Sequence, residues 1–376
     1  MRTAVVVGGG IGGLSAAIGL RRAGWRVTVF ERAPRVTGIG AGITLWPNAL
    51  RALEVLGLDL TPLTVPQSTG RLRDHRGRWL TRVDGAEFER VLGRPILGIA
   101  RAQLIDLLRE EVPAADLHAG VTVTGVTADG RVRWDGGELH ADLVVAADGI
   151  HSGVRADLWP DHPGAVYTGQ TAFRALLDNS GRSGLSGILG PGTEVGMVPL
   201  TGDRLYWYLA CHAPEGRRHA DPLGYLRGRF HDLPDPLPAL LDATPPDRLL
   251  HHDLFALRTP LPTYLRGRVA LLGDAAHAMT PYLGQGGCQA IEDAVVLAAA
   301  IAGHERVEDA LAHYDRERRP RSQAIARRSD QAGRFGTRLT NPLAVAARNA
   351  VFRLAPASLS VRAATAAAHW TPPPIG

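Results

Sequence analysis

Three clusters of residues in this chain have the types and spacing to do chemistry. The first, Gly8-Gly9-Gly10-Ile11-Gly12-Gly13, satisfies G-x-G-x-x-G. Glycine at those positions lets a turn adopt positive φ, lets backbone N–H groups approach a pyrophosphate and lets a helix pack on a strand. The helix N-terminus then faces the phosphate charge. Glu31 stands 18 residues past Gly13, at the end of the next apolar run, where a carboxylate can accept from ribose hydroxyls. These residues point to a dinucleotide but do not separate NAD from FAD. The second cluster is Asp148-Gly149-Ile150-His151-Ser152-Gly153-Val154-Arg155, which also reads as a strand end, an Asp-Gly turn and a serine helix cap. The third runs Gly273-Asp274-Ala275-Ala276-His277, then Pro281, Gly284-Gln285-Gly286-Gly287-Cys288 and Glu292-Asp293. Asp274 at a strand end can hold polyol hydroxyls. The glycine turn at 284–287 opens a helix whose positive N-terminus can face a delocalised anion, such as the pyrimidine edge of a reduced flavin.

The elements that must position these clusters follow from hydrophobic periodicity. Residues 3–7, 12–23 and 26–30 read as strand, helix and strand, a βαβ unit of parallel type. Further helices are expected over 48–56, 102–111 and 289–302, and strands over 121–126, 131–134, 143–147 and 268–272. Residues 67–97 look like an excursion into another sheet, and 166–254 are β-rich with Pro/Gly punctuation. Beyond residue 307 the chain is helical and Ala/Arg-rich, ending in a proline tail. The expected fold class is α/β: a discontinuous Rossmann-like nucleotide-binding domain (1–66, 98–165, 255–300), an inserted β-sheet substrate domain (67–97, 166–254) and C-terminal helices (301–376).

Composition removes several classes of function. Of 376 residues 45% are hydrophobic and 21% charged, an ordinary globular balance. All 42 basic side chains are arginine, so a Schiff-base lysine, a Walker lysine and a Ser-Lys dyad are excluded. The net charge of +5 is too small to argue for nucleic acid. Two cysteines, Cys211 and Cys288, make neither a disulfide framework nor a cysteine-rich metal site, and a reducing cytoplasm is expected. No apolar run approaches the roughly 20 residues that span a bilayer, and the N-terminus enters a strand without a signal-peptide pattern, so no stable membrane association is expected. His251-His252-Asp253 alternate across a strand, which argues against a metal. Arg316, Arg318, Arg319, Arg321, Arg327 and Arg328 read as a solvated helical face.

Taken together, the three motifs resemble the single-component FAD-dependent aromatic hydroxylases, the group that includes salicylate, 4-hydroxybenzoate and urate hydroxylases. Gly40-Ala41-Gly42-Ile43-Thr44-Leu45-Trp46-Pro47-Asn48-Ala49 is similar to that family's loop beside the flavin, Arg101 to its FAD-contacting arginine, and residues 314–321 to its late helical segment. The resemblance covers nearly the whole chain. It implies non-covalent FAD, with Gly8, Gly10, Ile11, Gly12 and Gly13 at the pyrophosphate, Glu31 and Arg32 at the adenosine ribose, and Val123 near adenine. Thr44 and Arg101 would line the ribityl-phosphate region. Asp274 would hold the ribityl side, Gly284, Gln285, Gly286, Gly287 and Cys288 the isoalloxazine edge, and Asp148-Gly149 would bridge the FAD and NAD(P)H regions. Cys288 departs from the residue many members carry, which matters little where a backbone N–H does the binding.

The resemblance further implies that NADH or NADPH reduces FAD in a transient visit, since only one dinucleotide motif is present. O₂ then adds at flavin C4a, and the hydroperoxide delivers oxygen to an electron-rich aromatic or heteroaromatic small molecule. The flavin carries the difficult step, and no protein residue is singled out as catalytic, nor any metal. Candidate substrate contacts are Arg174 (after Phe173), Tyr206 and Pro281, although Tyr206 also suits core packing. His277 is expected to pack or hydrogen-bond near the flavin rather than act as an acid or base. Glu194 stands where urate hydroxylases are expected to carry arginine, which disfavours a urate-like anion. The competing readings are a same-fold epoxidase or a reductase of an apolar isoprenoid-like substrate, a simple NAD-dependent dehydrogenase, and a non-catalytic binding protein. A flavin halogenase would need a lysine that the chain lacks.

Overall fold

The computed structural model describes residues 1–38, 41–67, 69–178, 184–356, 361 and 365–376; Gly40 of the expected flavin-side loop lies outside them. A six-stranded sheet has the order Leu265–Arg266, Val269–Leu271, Leu143–Ala146, Thr3–Val7, Arg26–Glu31, Leu117–Ala119. Its central pairings, from Val269–Leu271 through to Leu117–Ala119, are all parallel. Such strands are covered on both faces, which is why they read as continuous apolar runs: Val5, Val6 and Leu143 through Ala146 are at most 1% exposed. The helix Ile11–Arg22 lies against Gly286–Gly303 so closely that a Cβ on Gly19 would sit 2.8 Å from Ala298 Cβ. Both helices start earlier than their periodicity suggests, because glycines interrupt the apolar pattern in their first turns. Gly286–Gly303 is long and apolar enough to cross a membrane, yet 72% of it is buried here as a core helix.

The strands expected over 121–134 do not extend this sheet. Val123–Val126, Arg131–Trp134 and Gly137–His140 form a separate antiparallel sheet of three strands. A seven-stranded sheet has the order Leu250–Ala256, Val166–Leu177, Arg204–His212, Thr193–Leu200, Leu185–Gly190, Thr69–Asp74, Trp79–Asp84. Thr69–Asp74 joins it in parallel with Leu185–Gly190, so two segments distant in sequence meet in one sheet. One face buries Phe173, Val195, Met197, Trp207 and Leu209 against two helices, Pro222–Arg229 and Leu237–Ala243. The β-rich pattern of 166–254 does not announce these helices; proline-rich, short and weakly periodic, they give no clear 3.6-residue signal.

The arginine-rich C-terminal segment corrects one expectation outright. In the helix Val307–Phe335, Arg318 is 1% exposed rather than solvated. Its guanidinium meets Glu292 at 2.5 Å and Asp293 at 2.7 Å, and Arg321 meets Glu292 at 2.7 Å. Arg319 pairs with Asp315 on the outer side. Burial alone would push the Asp293 carboxyl up, but His277 and Arg318 outweigh it and hold the group at about 2, below its ordinary 3.8. Glu292 is likewise held down, as Arg318 and Arg321 overcome its desolvation.

Replacing Arg318 by Met removes the cation shared by two buried carboxylates, leaving Glu292 only Arg321 and Asp293 only His277, so unfolding free energy should fall by about 3–5 kcal/mol, measurable by urea titration. The sign of the pH effect follows from the depressed pKa of Asp293. Its stabilisation is present above about pH 4 and is lost as pH falls towards about 2, so the stability gap between the wild type and Asp293→Asn should close over that range.

Candidate active site

All three motifs begin at the carboxyl ends of neighbouring parallel strands: Thr3–Val7, Leu143–Ala146 and Val269–Leu271. Ligands of open α/β sheets bind at that edge. At the first motif, Gly8 has φ +108°, and a Cβ there would lie 2.3 Å from the Ala147 carbonyl oxygen. A Cβ on Gly13 would lie 1.9 Å from the Gly8 carbonyl, and one on Gly12 2.7 Å from Leu272 Cδ2. Gly10 is different: nothing lies within 4 Å of its Cβ position. Three of these glycines therefore serve internal packing, while Gly10 keeps an approach open above a helix N-terminus with no side-chain cap.

Glu31 has a first task within the protein. Its Oε2 accepts from the Gly9 N–H at 2.6 Å and its Oε1 from the Ala33 N–H at 2.8 Å, which pins the glycine turn. The carbonyl of Glu31 accepts from the Val121 N–H, bringing half-buried Val123 close by, whereas Arg32 is exposed. In the second motif, Ser152 caps the helix Gly153–Leu158 as the plainer reading expects, accepting from the Arg155 N–H at 2.9 Å. Buried Arg155 donates to the Ala275 and Ile150 carbonyls, tying the second motif to the third. Asp148 Oδ2 accepts from the Val154 N–H, while its buried Oδ1 has no partner in the chain.

In the third motif Asp293 holds the turn, accepting from the Gly273 N–H at 2.9 Å and contacting His277 Nε2 at 2.6 Å. His277 is 3% exposed, in keeping with the local hydrogen-bonding role expected of it. Ala275 and Ala276 are buried, so Asp274 is the exposed member of its turn. Gly284 has φ +61° and sits against Thr44 Oγ1 and Trp46 Nε1, each 3.1 Å from its Cβ position. The helix Gly286–Gly303 starts without a side-chain cap or an acidic first turn, leaving free N–H groups at Gly286 and Gly287. The Gln285 side chain points into the core, accepting from Asn48 at 2.9 Å, and the fully buried Cys288 thiol is pushed up to about 12 by desolvation. Both can serve a ligand by backbone alone.

One cavity of about 730 Å³ collects most of these positions. Gly10, Ile11, Gly12, Gly149, Asp274, Gly284, Gly286 and Gly287 line it from the six-stranded sheet's edge, with Thr44 and Arg101 from flanking elements. Arg174, Tyr206 and Pro281 line it opposite. Gly8, Gly13, Glu31, Arg32, Val123, Asp148, Gln285 and Cys288 are not on its wall. Tyr206 serves both readings, packing with Ala41, Ala100 and Val198 while facing the cavity at 9% exposure. Burial raises the Tyr206 phenol, and Arg174 and Arg101 only partly offset this. Sequence reasoning missed Tyr208, Tyr282, Leu72, Leu185 and Phe352, which also line the cavity. For the strand residues among them, the available signal is period-2 alternation with Arg174 and Tyr206, but the register between strands is needed to use it.

A family model described as "FAD binding domain" matches residues 1–221 and 235–329. The aurachin C monooxygenase/isomerase of Stigmatella aurantiaca is 38% identical over 344 residues, covering 89% of each chain. The 2-heptyl-3-hydroxy-4(1H)-quinolone synthase of Mycobacteroides abscessus is 37% identical over 336 residues, covering 84% of this chain and 86% of that one. Among solved structures, HpxO of Klebsiella pneumoniae complexed with FAD and uric acid has a TM-score of 0.91 at 28% identity, covering 98% of this chain and 96% of that one. The chain belongs to the FAD-dependent aromatic hydroxylases, and it is an FAD-dependent monooxygenase.

The glycine geometry separates fold from cofactor. Gly10→Ala should leave the apoprotein's melting temperature nearly unchanged while sharply lowering the FAD-to-protein absorbance ratio, because its methyl group enters open space above the helix N-terminus. Gly13→Ala should instead lower stability with or without FAD.

Proposed function

We propose that this enzyme uses NADH or NADPH and O₂ to insert one oxygen atom into an aromatic heterocycle, and that the ring carries a hydrocarbon substituent. The observation that carries this reading is the single cavity in which the three nucleotide motifs face the open side of the seven-stranded sheet. Residues 1–66, 98–165 and 255–300 form the FAD-binding portion in this reading, and 67–97 with 166–254 the substrate portion.

Gly10 and the N-terminus of Ile11–Arg22 would hold the pyrophosphate, with Glu31, Arg32 and Val123 towards the adenosine end. Asp274, Thr44 and Arg101 would hold the ribityl chain, and the N–H groups of Gly286 and Gly287 the isoalloxazine edge. The unpartnered Asp148 Oδ1 and the open Gly149 suit a polar group of the cofactor or of the visiting nicotinamide. Bound FAD would supply hydride acceptance from NAD(P)H and activation of O₂, while the residues named above would orient its ring, exclude water and hold protons in place. Burial holds the Tyr206, Tyr208 and Tyr282 phenols above their ordinary range, so each acts as a hydrogen-bond donor at neutral pH rather than as a base.

The Mycobacteroides relative is named for a 2-heptyl quinolone, which has both a heteroaromatic ring and an alkyl chain. The apolar side chains of Leu72, Val83, Leu185 and Val198 on the cavity wall support a substrate of that kind. The same strip would also suit a reductase or an epoxidase of an isoprenoid-like substrate. Two buried free thiols fit a reducing compartment, and we place the enzyme in the cytoplasm.

The purified protein should be yellow and release FAD. NADH or NADPH oxidation should be stimulated by a 2-alkyl-4-quinolone, with O₂ uptake and a product 16 mass units heavier. FAD without O₂ consumption on any arene would favour a reductase, and absence of bound flavin after reconstitution would exclude the reading.

A further inference from the structure

The cavity-facing side of the seven-stranded sheet has a polarity gradient that its register makes explicit. Arg174 pairs with Tyr208, Tyr208 with Gly196, Gly196 with Gly187, and Gly187 with Leu72. Directly paired residues point to the same face. The row therefore runs from a cation and a phenol, across two glycines, to an aliphatic side chain. A Cβ on Gly196 would lie 2.2 Å from Tyr208 Cε1, so the phenol ring lies over that glycine. Glu194 is two residues from Gly196 and shares its face.

The polar end has two features that a ligand would complete. Glu194 Oε1 accepts from the Tyr208 hydroxyl at 2.6 Å and its Oε2 from Thr337 Oγ1 at 2.5 Å. A carboxylate has about four lone-pair sites, so acceptor capacity remains on the cavity side. Among the described residues no arginine or histidine forms an ion pair with Glu194, and its charge repels an anionic ring. Nearby, the Tyr282 hydroxyl is buried and has no hydrogen-bond partner. Its ring has room only because position 333 is glycine, where a Cβ would lie 2.2 Å from Tyr282 Cε2. A buried donor without an acceptor costs about 1–3 kcal/mol, which a carbonyl or hydroxyl oxygen of a ligand would recover.

We propose that Glu194 is a specificity-determining residue that accepts a hydrogen bond from a ring N–H of the substrate, while Tyr282 donates to an oxygen of the same ligand and the Leu72, Val83, Leu185, Val198 and Phe352 strip takes its hydrocarbon tail. This rests on the monooxygenase reading and narrows its substrate to a neutral N–H heteroaromatic with an oxo or hydroxyl group. A charge-assisted hydrogen bond of about 1.5–3 kcal/mol corresponds to roughly 10- to 100-fold in affinity.

The test measures binding to the oxidised FAD-loaded enzyme through the change in the flavin's visible spectrum, without turnover. The probes are 2-heptyl-4(1H)-quinolone, its N-methyl derivative and uric acid. The wild type should bind the N–H quinolone at least about 10-fold more tightly than the N-methyl compound, with uric acid weakest. Glu194→Gln should narrow that preference to a few-fold and Glu194→Leu should abolish it. Tyr282→Phe should weaken both quinolones equally, since both keep the carbonyl. Equal binding of the two quinolones to the wild type, failure of the N–H quinolone to bind, or an undiminished preference in both Glu194 variants would overturn the proposal; the last would mean that shape rather than the carboxylate discriminates. If the preference appears as expected but the bound quinolone yields no oxygenated product, the assignment of Glu194 stands and the oxygenation of this substrate falls.

Discussion

The buried guanidinium of Arg318 is the interaction on which the rest of the site depends. It engages Glu292, Asp293 and Gln289, all on Gly286–Gly303, from a helix that starts only at Val307. Each carboxylate then does a second job. Asp293 holds the Gly273 N–H and His277, fixing the turn that exposes Asp274. Glu292 accepts from Asn48 and Gln289, anchoring Pro47–Val55 and, through Gln285, the glycine turn before Gly286. Burying these charges is costly, and it is tolerated because each is met by an opposite charge and by further hydrogen bonds. The network thus sets the relative positions of the two turns, at Asp274 and at 284–287, that line the cavity.

The cavity follows from a second constraint, the edge of a parallel sheet. The strands pair in parallel, so the loops after Val7, Ala146 and Leu271 emerge together. The six-stranded sheet supplies backbone N–H groups, glycines and one exposed carboxylate, which suits a cofactor bound by its polar skeleton. The seven-stranded sheet supplies side chains alternating across a pleated face, which suits discrimination between substrates. Variation in that face can change the substrate without disturbing the cofactor site, since the two depend on different residues.

Much of the cofactor side is legible in the amino-acid sequence. Gly8–Gly13, Asp148-Gly149 and Gly273–Asp274 are local signals: a strand, a turn that needs glycine, and a helix start are all encoded within a dozen residues. The arginine run misleads because charge at helical spacing most often marks a solvated face, and its counterions lie about 25 residues upstream, inside a motif that reads as a ligand site. The helices Pro222–Arg229 and Leu237–Ala243 are illegible for a similar reason, as their burial comes from a sheet face and not from their own periodicity.

What the sequence by itself determined was the set of strand–turn–helix units and the dinucleotide chemistry they serve, because backbone conformation and helix polarity depend on near neighbours. What only the tertiary structure decided was which side chains share a wall. Tyr208 beside Glu194, Tyr282 against Gly333 and Arg318 between two carboxylates are each products of register or helix packing. A one-residue slip in register would turn the alternating strand residues to the opposite face. Those choices are made by long-range packing energy, which no local stretch of this chain contains.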